Sequence, residues 1–325
     1  MPFTVLVTAP KLAAAGLALL NEAGCRVIFM PTSQTPDDLS RILATEPVDA
    51  IISRTRALTA EMIASCPTLK VISRHGIGYD NVDLPAATEL GIPVLVTPAT
   101  NGVSVAELAI GLMFAAARRI SHHDLLIREG KWDRTGQGLQ LSGRRLGLIG
   151  LGGIGRHVAH IAMACGMKVS AHDTMSSVAV DGVTMVDQLA TLVRNSDVIS
   201  LHCPLTPETR HLINAAMIAM LPKGAIVINT ARGGLIDEAA LAEALKSGHL
   251  AGAGLDTLEQ EPPASDNPLL KLSSVVLTPH MGGSTDAALA ATAAAAARNA
   301  LQVLRGEGVP RTVCVNQAIF EKENS

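Results

Sequence analysis

The stretch Arg144-Arg-Leu-Gly-Leu-Ile-Gly-Leu-Gly-Gly-Ile-Gly155 decides the fold. Leu146 to Ile149 is an apolar run of strand length. It breaks into Gly150, Gly152 and Gly155, spaced G-x-G-x-x-G, and then into a helix-like segment, Ile154–Cys165. The first glycine permits a tight turn, the second lets backbone approach a pyrophosphate, and the third lets helix and strand pack closely. Free N–H groups and the dipole at the helix start then hold the phosphates. A second apolar strand, Lys168 to His172, ends in Asp173, about 20 residues past the last glycine, where a ribose 2′-hydroxyl is bound in such motifs. By itself a G-x-G-x-x-G is also the mark of a structural turn. Strand, glycines, helix, strand and acid together indicate a dinucleotide site. Asp173 favours NAD over NADP, because a carboxylate repels a 2′-phosphate and no arginine follows in Thr174-Met-Ser-Ser177.

Working outward, the same alternation recurs on both sides. Before the fingerprint, strand-like runs at Thr4–Val7, Arg26–Phe29, Ala50–Ile52, Val71–Ser73 and Val94–Val96 alternate with helix-like segments Lys11–Ala23, Pro36–Ala44, Thr59–Ala64 and Leu84–Leu90. A long helix-like segment, Val103–Ile120, leads into a polar, loop-like stretch, Ser121–Gly143. After the fingerprint come strands at Val198–Leu201, Ala225–Asn229, Ala253–Leu255 and Val275–Leu277, with helices at Leu189–Arg194, Asn214–Met220 and Glu238–Lys246. The alanine-rich run Asp286–Arg305 is a last helix, and the tail from Gly308 reads as a short strand plus a frayed end. Alternation of this kind argues parallel sheets with helices on their faces, an α/β fold. At 325 residues the chain exceeds the size at which one core keeps growing, so two domains are expected.

Only 2% of residues are aromatic, so the core is aliphatic. A net charge of −3 offers no excess of positive charge for nucleic acid or anionic membrane. The five cysteines (Cys25, Cys66, Cys165, Cys203, Cys314) are scattered and without C-x-x-C, which argues against a disulfide framework or zinc site and for a reducing cytoplasm. The opening Met-Pro-Phe-Thr-Val-Leu-Val-Thr lacks the basic-then-apolar build of a signal peptide. No run approaches the ~18 apolar residues of a membrane span. His157 and His160 share a helix face, but no third metal ligand is evident. His122-His123 reads as solvated.

Six motifs in order resemble the NAD-dependent D-isomer-specific 2-hydroxyacid dehydrogenases. Ser73-Arg-His-Gly-Ile-Gly-Tyr-Asp-Asn-Val-Asp83 is similar to that family's substrate loop, Gly150–Gly155 to its fingerprint, and His202-Cys-Pro-Leu-Thr-Pro-Glu-Thr209 to its adenine-side loop. Asn229-Thr-Ala-Arg-Gly-Gly-Leu-Ile-Asp-Glu238 resembles its arginine motif, Leu255-Asp256 and Glu261-Pro-Pro263 follow, and Pro279-His-Met-Gly-Gly283 resembles its histidine motif. Arg74, Gly76 and Asp80-Asn-Val-Asp83 place it nearest the phosphoglycerate-oxidising members. The resemblance implies two doubly wound parallel-sheet domains. A Rossmann NAD-binding domain, residues 101–284, is inserted into a flavodoxin-like substrate domain, residues 1–100 and 285–325, with active-site groups in the cleft between them. It also implies a homodimer joined through the nucleotide domain.

Interconverting a 2-hydroxy acid and a 2-oxo acid needs a group for the carboxylate, a proton carrier and a group to tune that carrier. By residue type alone, Arg232 is equally a surface arginine in a glycine-rich turn, His280 a structural histidine and Glu261 an acid before a Pro-Pro turn. The resemblance assigns Arg232 to the carboxylate, held bidentately, His280 to acid–base work near neutral pH, and Glu261 to the far imidazole nitrogen. It assigns the cofactor to Gly150, Gly152, Gly153, Ile154, Gly155, Asp173, His202, Cys203, Pro204, Thr209, Thr230, Ala231, Asp256, Gly282 and Gly283, with Asp256 on the nicotinamide carboxamide. Backbone amides of Ile77 and Gly78 would cup the substrate carboxylate. Arg54, Arg74 and Arg134 are the candidates for a substrate phosphate, Arg134 from a neighbouring subunit.

Two departures stand out. Gly153 occupies a fingerprint position that is often basic in relatives, and His75 stands where phosphoglycerate enzymes carry a small residue. The chain ends before the position of the regulatory C-terminal domain of longer members, so serine feedback is not expected. The substrate stays open among glyoxylate, hydroxypyruvate, phosphohydroxypyruvate and lactate-type acids. Rival readings are a non-catalytic NAD-sensing module of the same fold and a formate dehydrogenase, the latter disfavoured because those enzymes pair the histidine with Gln rather than Glu.

Overall fold

The computed structural model describes residues 2–31, 33, 35–175 and 180–322, so the Ser176-Ser177 part of the turn after Asp173 lies outside the described residues. The chain forms two compact units, residues 1–101 with 283–325 and residues 102–282.

The first unit is built on five parallel strands, β1 Thr4–Val7, β2 Arg26–Phe29, β3 Ala50–Ser53, β4 Val71–Arg74 and β5 Val94–Leu95, in the order β2-β1-β3-β4-β5. That order is the flavodoxin-like one. β1, β3 and β4 are buried throughout, as near-continuous apolar runs in a doubly covered parallel sheet must be. Helix starts are written in the sequence: Thr35 and Asp38 form a reciprocal capping box, and the side chains of Thr59, Asp83 and Thr285 each accept a first-turn amide. The last helix, Asp286–Leu304, packs on helix Ala14–Glu22 and over β3 and β4 through fully buried Ala293, Ala296, Ala297 and Ala300. Alanine there lets backbones approach closely, which accounts for the alanine-rich run.

The tail differs from its expected strand. Arg311–Val313 is a single 3-10 turn, Cys314 makes one antiparallel bridge to Leu95, and Ile319–Lys322 is a short helix. Buried Asn316 explains the interruption. Its amide donates to the Ile92 carbonyl (2.9 Å) and its carbonyl accepts from the Val94 amide (2.9 Å), replacing ladder bonds by side-chain bonds.

The second unit has seven parallel strands, β6 Arg145–Ile149, β7 Lys168–His172, β8 Val183–Met185, β9 Val198–Leu201, β10 Ala225–Asn229, β11 Leu250–Leu255 and β12 Val275–Leu277, ordered β12-β11-β10-β9-β6-β7-β8. This is the Rossmann order extended by one strand, and strand order reverses between β6 and β9, where such sheets bind ligands outside their carboxyl ends. The edge strand β8 escapes sequence reading: three partly exposed residues after Gly182 carry no usable period. The stretch read as a polar loop contains a helix, Ile120–Arg128, set off from helix Gly102–Arg118 by Arg119 at φ 51°. None of that helix's residues is buried in its own unit, so the polar reading and the helix coexist, supported by an Asp124–Arg128 pair four residues apart (2.8 Å). Among the described residues no helix is long and apolar enough to cross a membrane.

Candidate active site

The site is assembled from loops at the carboxyl ends of β6, β9, β10, β11 and β12. After β6 the chain turns at Gly150, φ 95°, where an added Cβ would lie 2.7 Å from the His202 backbone. A Cβ on Gly155 would lie 2.3 Å from the Gly150 carbonyl oxygen, so both glycines are demanded by protein packing. Gly152 and Gly153 face open space, with nothing within 4 Å of an added Cβ, and helix Gly153–Ala164 starts without a side-chain cap. An uncapped helix start with bare backbone before it fits a pyrophosphate. Ile154, in the first turn, packs its side chain on the core of the unit. Asp173 follows β7 and bridges the turn: its oxygens accept from the amides of Leu151 (2.6 Å) and Met175 (2.7 Å).

The loop after β9 lies against the fingerprint. His202 Nε2 meets Ser200 Oγ at 2.8 Å, its Nδ1 is buried without a protein partner, and burial pushes its pKa down to about 4, so the ring is neutral. Burial raises the Cys203 thiol to about 11, which leaves it a neutral lining group. Thr209 serves its own loop, donating to the Pro204 carbonyl (2.8 Å) and accepting from the Thr206 amide (2.7 Å). After β10, Thr230 is buried with its hydroxyl unpartnered. Orphaned polar atoms on His202, beside the fingerprint, and on Thr230 fit a polar dinucleotide.

The arginine loop is fixed by Asn229, a residue the sequence reading used only as a motif end. Fully buried, it accepts from the Ala231 amide (3.0 Å) and donates to the Arg232 carbonyl (2.8 Å). An asparagine closing an otherwise apolar buried strand was the available signal. Arg232 is half-buried and donates from Nη1 to the Ala231 carbonyl (2.7 Å). Gly233 meets the next loop backbone to backbone: an added Cβ would lie 1.9 Å from the Leu258 carbonyl carbon.

That next loop carries Glu261, whose Oε1 accepts from the Leu258 amide (3.1 Å) and whose Oε2 accepts from His280 Nδ1 (2.8 Å). The Glu261 hydrogen bond holds His280 above the usual histidine range against burial, with the Glu261 and Asp256 charges adding to it and Arg232 opposing. Burial pushes Glu261 up, but the His280 hydrogen bond and charge, the Leu258 amide and Arg232 outweigh it and hold the carboxyl below its ordinary value. Arg232 is thus close enough for its charge to reach both partners.

His280 stands at φ 51°, and its loop is braced by Asp256. Asp256, 2% exposed, accepts from Thr278 Oγ1 (2.6 Å) and the amides of Met281 (2.8 Å) and Gly282 (2.8 Å), while its own carbonyl accepts from the His280 amide (2.8 Å). Both carboxylate oxygens therefore hold the histidine loop.

In the first unit Arg54, Arg74, Ile77 and Gly78 come together at the ends of β3 and β4. Arg74 is buried and directed inward. It donates to the Gly78 carbonyl (2.7 Å), Ser53 Oγ (2.8 Å) and the Arg54 carbonyl, and so shapes the Ile77–Gly78 turn. Half-buried Arg54 has its pKa lowered by burial. His75 falls to about 4 through burial and the nearby charges of Arg54 and Arg74, so it is neutral. Gly283 belongs to this unit, and Arg134 lies on the exposed segment after helix Ile120–Arg128.

Residues 110–282 match the family model described as "D-isomer specific 2-hydroxyacid dehydrogenase, NAD binding domain". The chain is 44% identical over 307 residues to a D-3-phosphoglycerate dehydrogenase of Methanocaldococcus jannaschii, covering 93% of this chain and 58% of that protein. It therefore spans less than two thirds of that relative's length. It is 48% identical over 252 residues to a hydroxypyruvate reductase of Thermotoga maritima, covering 77% of this chain and 82% of that one. A crystal structure of a glyoxylate reductase from Paecilomyes thermophila superimposes with a TM-score of 0.84 at 32% identity, covering 97% of this chain and 98% of that one. With its sheet orders, fingerprint and histidine loop alike in place, the chain belongs to the D-isomer specific 2-hydroxyacid dehydrogenase family.

Proposed function

We propose that the protein is an NAD-dependent dehydrogenase that interconverts a small D-2-hydroxy acid and its 2-oxo acid. The observation that carries this reading is the His280–Glu261 pair at 2.8 Å with the Arg232 charge beside it, on the sheet end that also bears the fingerprint. Arg232 binds the substrate carboxylate and polarises the neighbouring carbonyl. With Nδ1 donating to Glu261, Nε2 of His280 is the atom that gives a proton to the oxo group in reduction and takes it from the hydroxyl in oxidation. The amides of Ile77 and Gly78 are assigned to the same carboxylate, and Arg54 to any second anionic group on the substrate. NAD, when bound at the fingerprint, supplies or accepts the hydride. Asp173 is assigned to the ribose hydroxyls, and the Asp256 brace keeps His280 aimed.

Consumption of NADH across glyoxylate, hydroxypyruvate, phosphohydroxypyruvate and pyruvate tests the reading. Turnover with at least one supports it. Binding of NADH without turnover of any would assign the chain to a non-catalytic sensing role.

Two variants probe it further. Glu261→Gln removes the charge and weakens the bond that raise His280, while burial and Arg232 still depress it. Reduction needs the protonated ring, so its rate falls as pH rises through the His280 pKa. In the variant that alkaline limb is expected at lower pH, which a kcat–pH profile reads directly. Asp173→Ala removes the repulsion of a 2′-phosphate. Like charges about 4 Å apart cost between about 1 and 4 kcal/mol depending on screening, so the preference for NADH over NADPH should narrow by roughly fivefold to several hundredfold. Initial rates with both cofactors measure it.

A homodimer is part of the same proposal. Phe114, Ile120, Leu125, Ile127 and Trp132, the last 79% exposed, leave apolar surface on the nucleotide-binding unit for a second copy. Light scattering on a sizing column gives the mass. The scattered free cysteines support, as part of the same proposal, a setting in the reducing cytoplasm.

A further inference from the structure

Two residues before Glu261 on the same turn, Glu259 is gripped from two directions. Its carboxylate accepts from Arg210 Nη2 and from His211 Nε2 at 3.0 Å, both on the loop that begins at His202. Its amide donates to Glu238 Oε1 (2.6 Å), and the other oxygen of Glu238 accepts from Asn267 Nδ2 (2.8 Å). Glu238 is the first residue of the helix that follows the Arg232 turn. From below, Gly233 packs directly on the Leu258–Glu259 peptide. His211 holds its place at φ 49°, a left-handed conformation costing a non-glycine residue about 1–2 kcal/mol, with its amide bonded to the Gly234 carbonyl (2.8 Å). Strain of this kind persists where the surroundings over-determine it. Exposed ion pairs contribute about 0–1 kcal/mol to stability, so the effect of this cluster is to be sought in geometry.

We propose that Glu259, clamped by Arg210 and His211 and tied through its amide to Glu238, is a positioning residue that sets the Glu261–His280 pair. It rests on the reading of that pair as the proton carrier. The turn from Leu258 to Glu261 is pinned at its centre, so the Leu258 amide stays on Glu261 Oε1 and leaves Oε2 for His280. When Glu259 is released, the turn loses its anchor and Glu261 its aim. The charged groups facing His280 are Glu261, Arg232 and Asp256, whereas Arg210 and His211 act on Glu259 and reach the imidazole only through the turn.

Glu259→Gln, Glu259→Ala and Arg210→Ala test this, because the pair is exposed and its removal opens no core cavity. The readouts are the His280 imidazole titration by NMR, its signal assigned by its loss in His280→Asn, and kcat and KM for NADH and the best 2-oxo acid. The expected result is a lower His280 midpoint and a kcat reduced roughly tenfold to a hundredfold, the scale of small misplacements of reacting groups. KM for NADH should hold, and Arg210→Lys should recover part of the loss. An unchanged midpoint and kcat in Glu259→Ala would overturn the proposal. A midpoint that moves in a protein turning over no 2-oxo acid would keep the positioning role and remove the dehydrogenase reading. Normal turnover with an unmoved midpoint would do the reverse.

Discussion

Replacing His280 by asparagine is expected to lower kcat by about 10²–10⁴-fold in both directions, the usual contribution of a positioned acid–base group, while NADH binds as before. Asparagine suits the site structurally. It tolerates the left-handed backbone at φ 51°, and its side-chain amide can still donate to Glu261. Asp256 continues to hold Thr278, Met281 and Gly282, so the loop keeps its form. What the variant loses is the titrating imidazole, which the Glu261 hydrogen bond holds above the usual histidine range. On the proposed mechanism, reduction in the wild type should be supported below the His280 pKa and fade above it, with oxidation behaving oppositely. The variant should lose that dependence in both directions. Steady-state rates over pH, with NADH binding followed by fluorescence, check both parts. Full activity in His280→Asn would remove the histidine from the mechanism.

Much of this site was legible in the sequence because its signals are local. β6, β7, β9 and β10 are apolar runs ended by glycine, acid or motif residues, and the glycines at 150 and 155 sit where backbone leaves no room for a side chain. The roles proposed for Arg232, Glu261 and His280 rest on the order of six motifs, since each residue alone has a simpler explanation on the surface or in a turn. Long-range pairings stayed hidden. Glu259 and Arg210 are 49 residues apart and look like solvated charges in the sequence. Nothing local to Asp256 reveals that amides more than twenty residues on bond to its oxygens. Likewise Arg74 reads as a free cation until the fold places Ser53 and the Gly78 carbonyl around it. Helix Ile120–Arg128 was missed because His122, His123 and the charged residues around them made the whole stretch read as polar, although its apolar residues recur at helical spacing.

Replacing Arg232 by alanine is expected to cut kcat/KM by roughly 10²–10⁴-fold, since a bidentate hold comprises two hydrogen bonds between charged groups, each contributing about 1.5–3 kcal/mol. The loss should appear mainly as a raised KM for the oxo acid, with a fall in kcat wherever the guanidinium also polarises the reacting carbonyl. Lysine restores the charge without the planar fork and should recover only part of the loss. The turn itself should survive, because Asn229 bonds the backbone at Ala231 and Arg232 and Gly233 still packs on Leu258. A second signature separates this variant from a general loosening of the site. The Arg232 charge lowers His280, so removing it should move the alkaline limb of reduction to higher pH, opposite to Glu261→Gln. Kinetics with the best 2-oxo acid at several pH values, together with NADH binding, read both effects at once. An unchanged kcat/KM in Arg232→Ala would take the carboxylate away from this arginine.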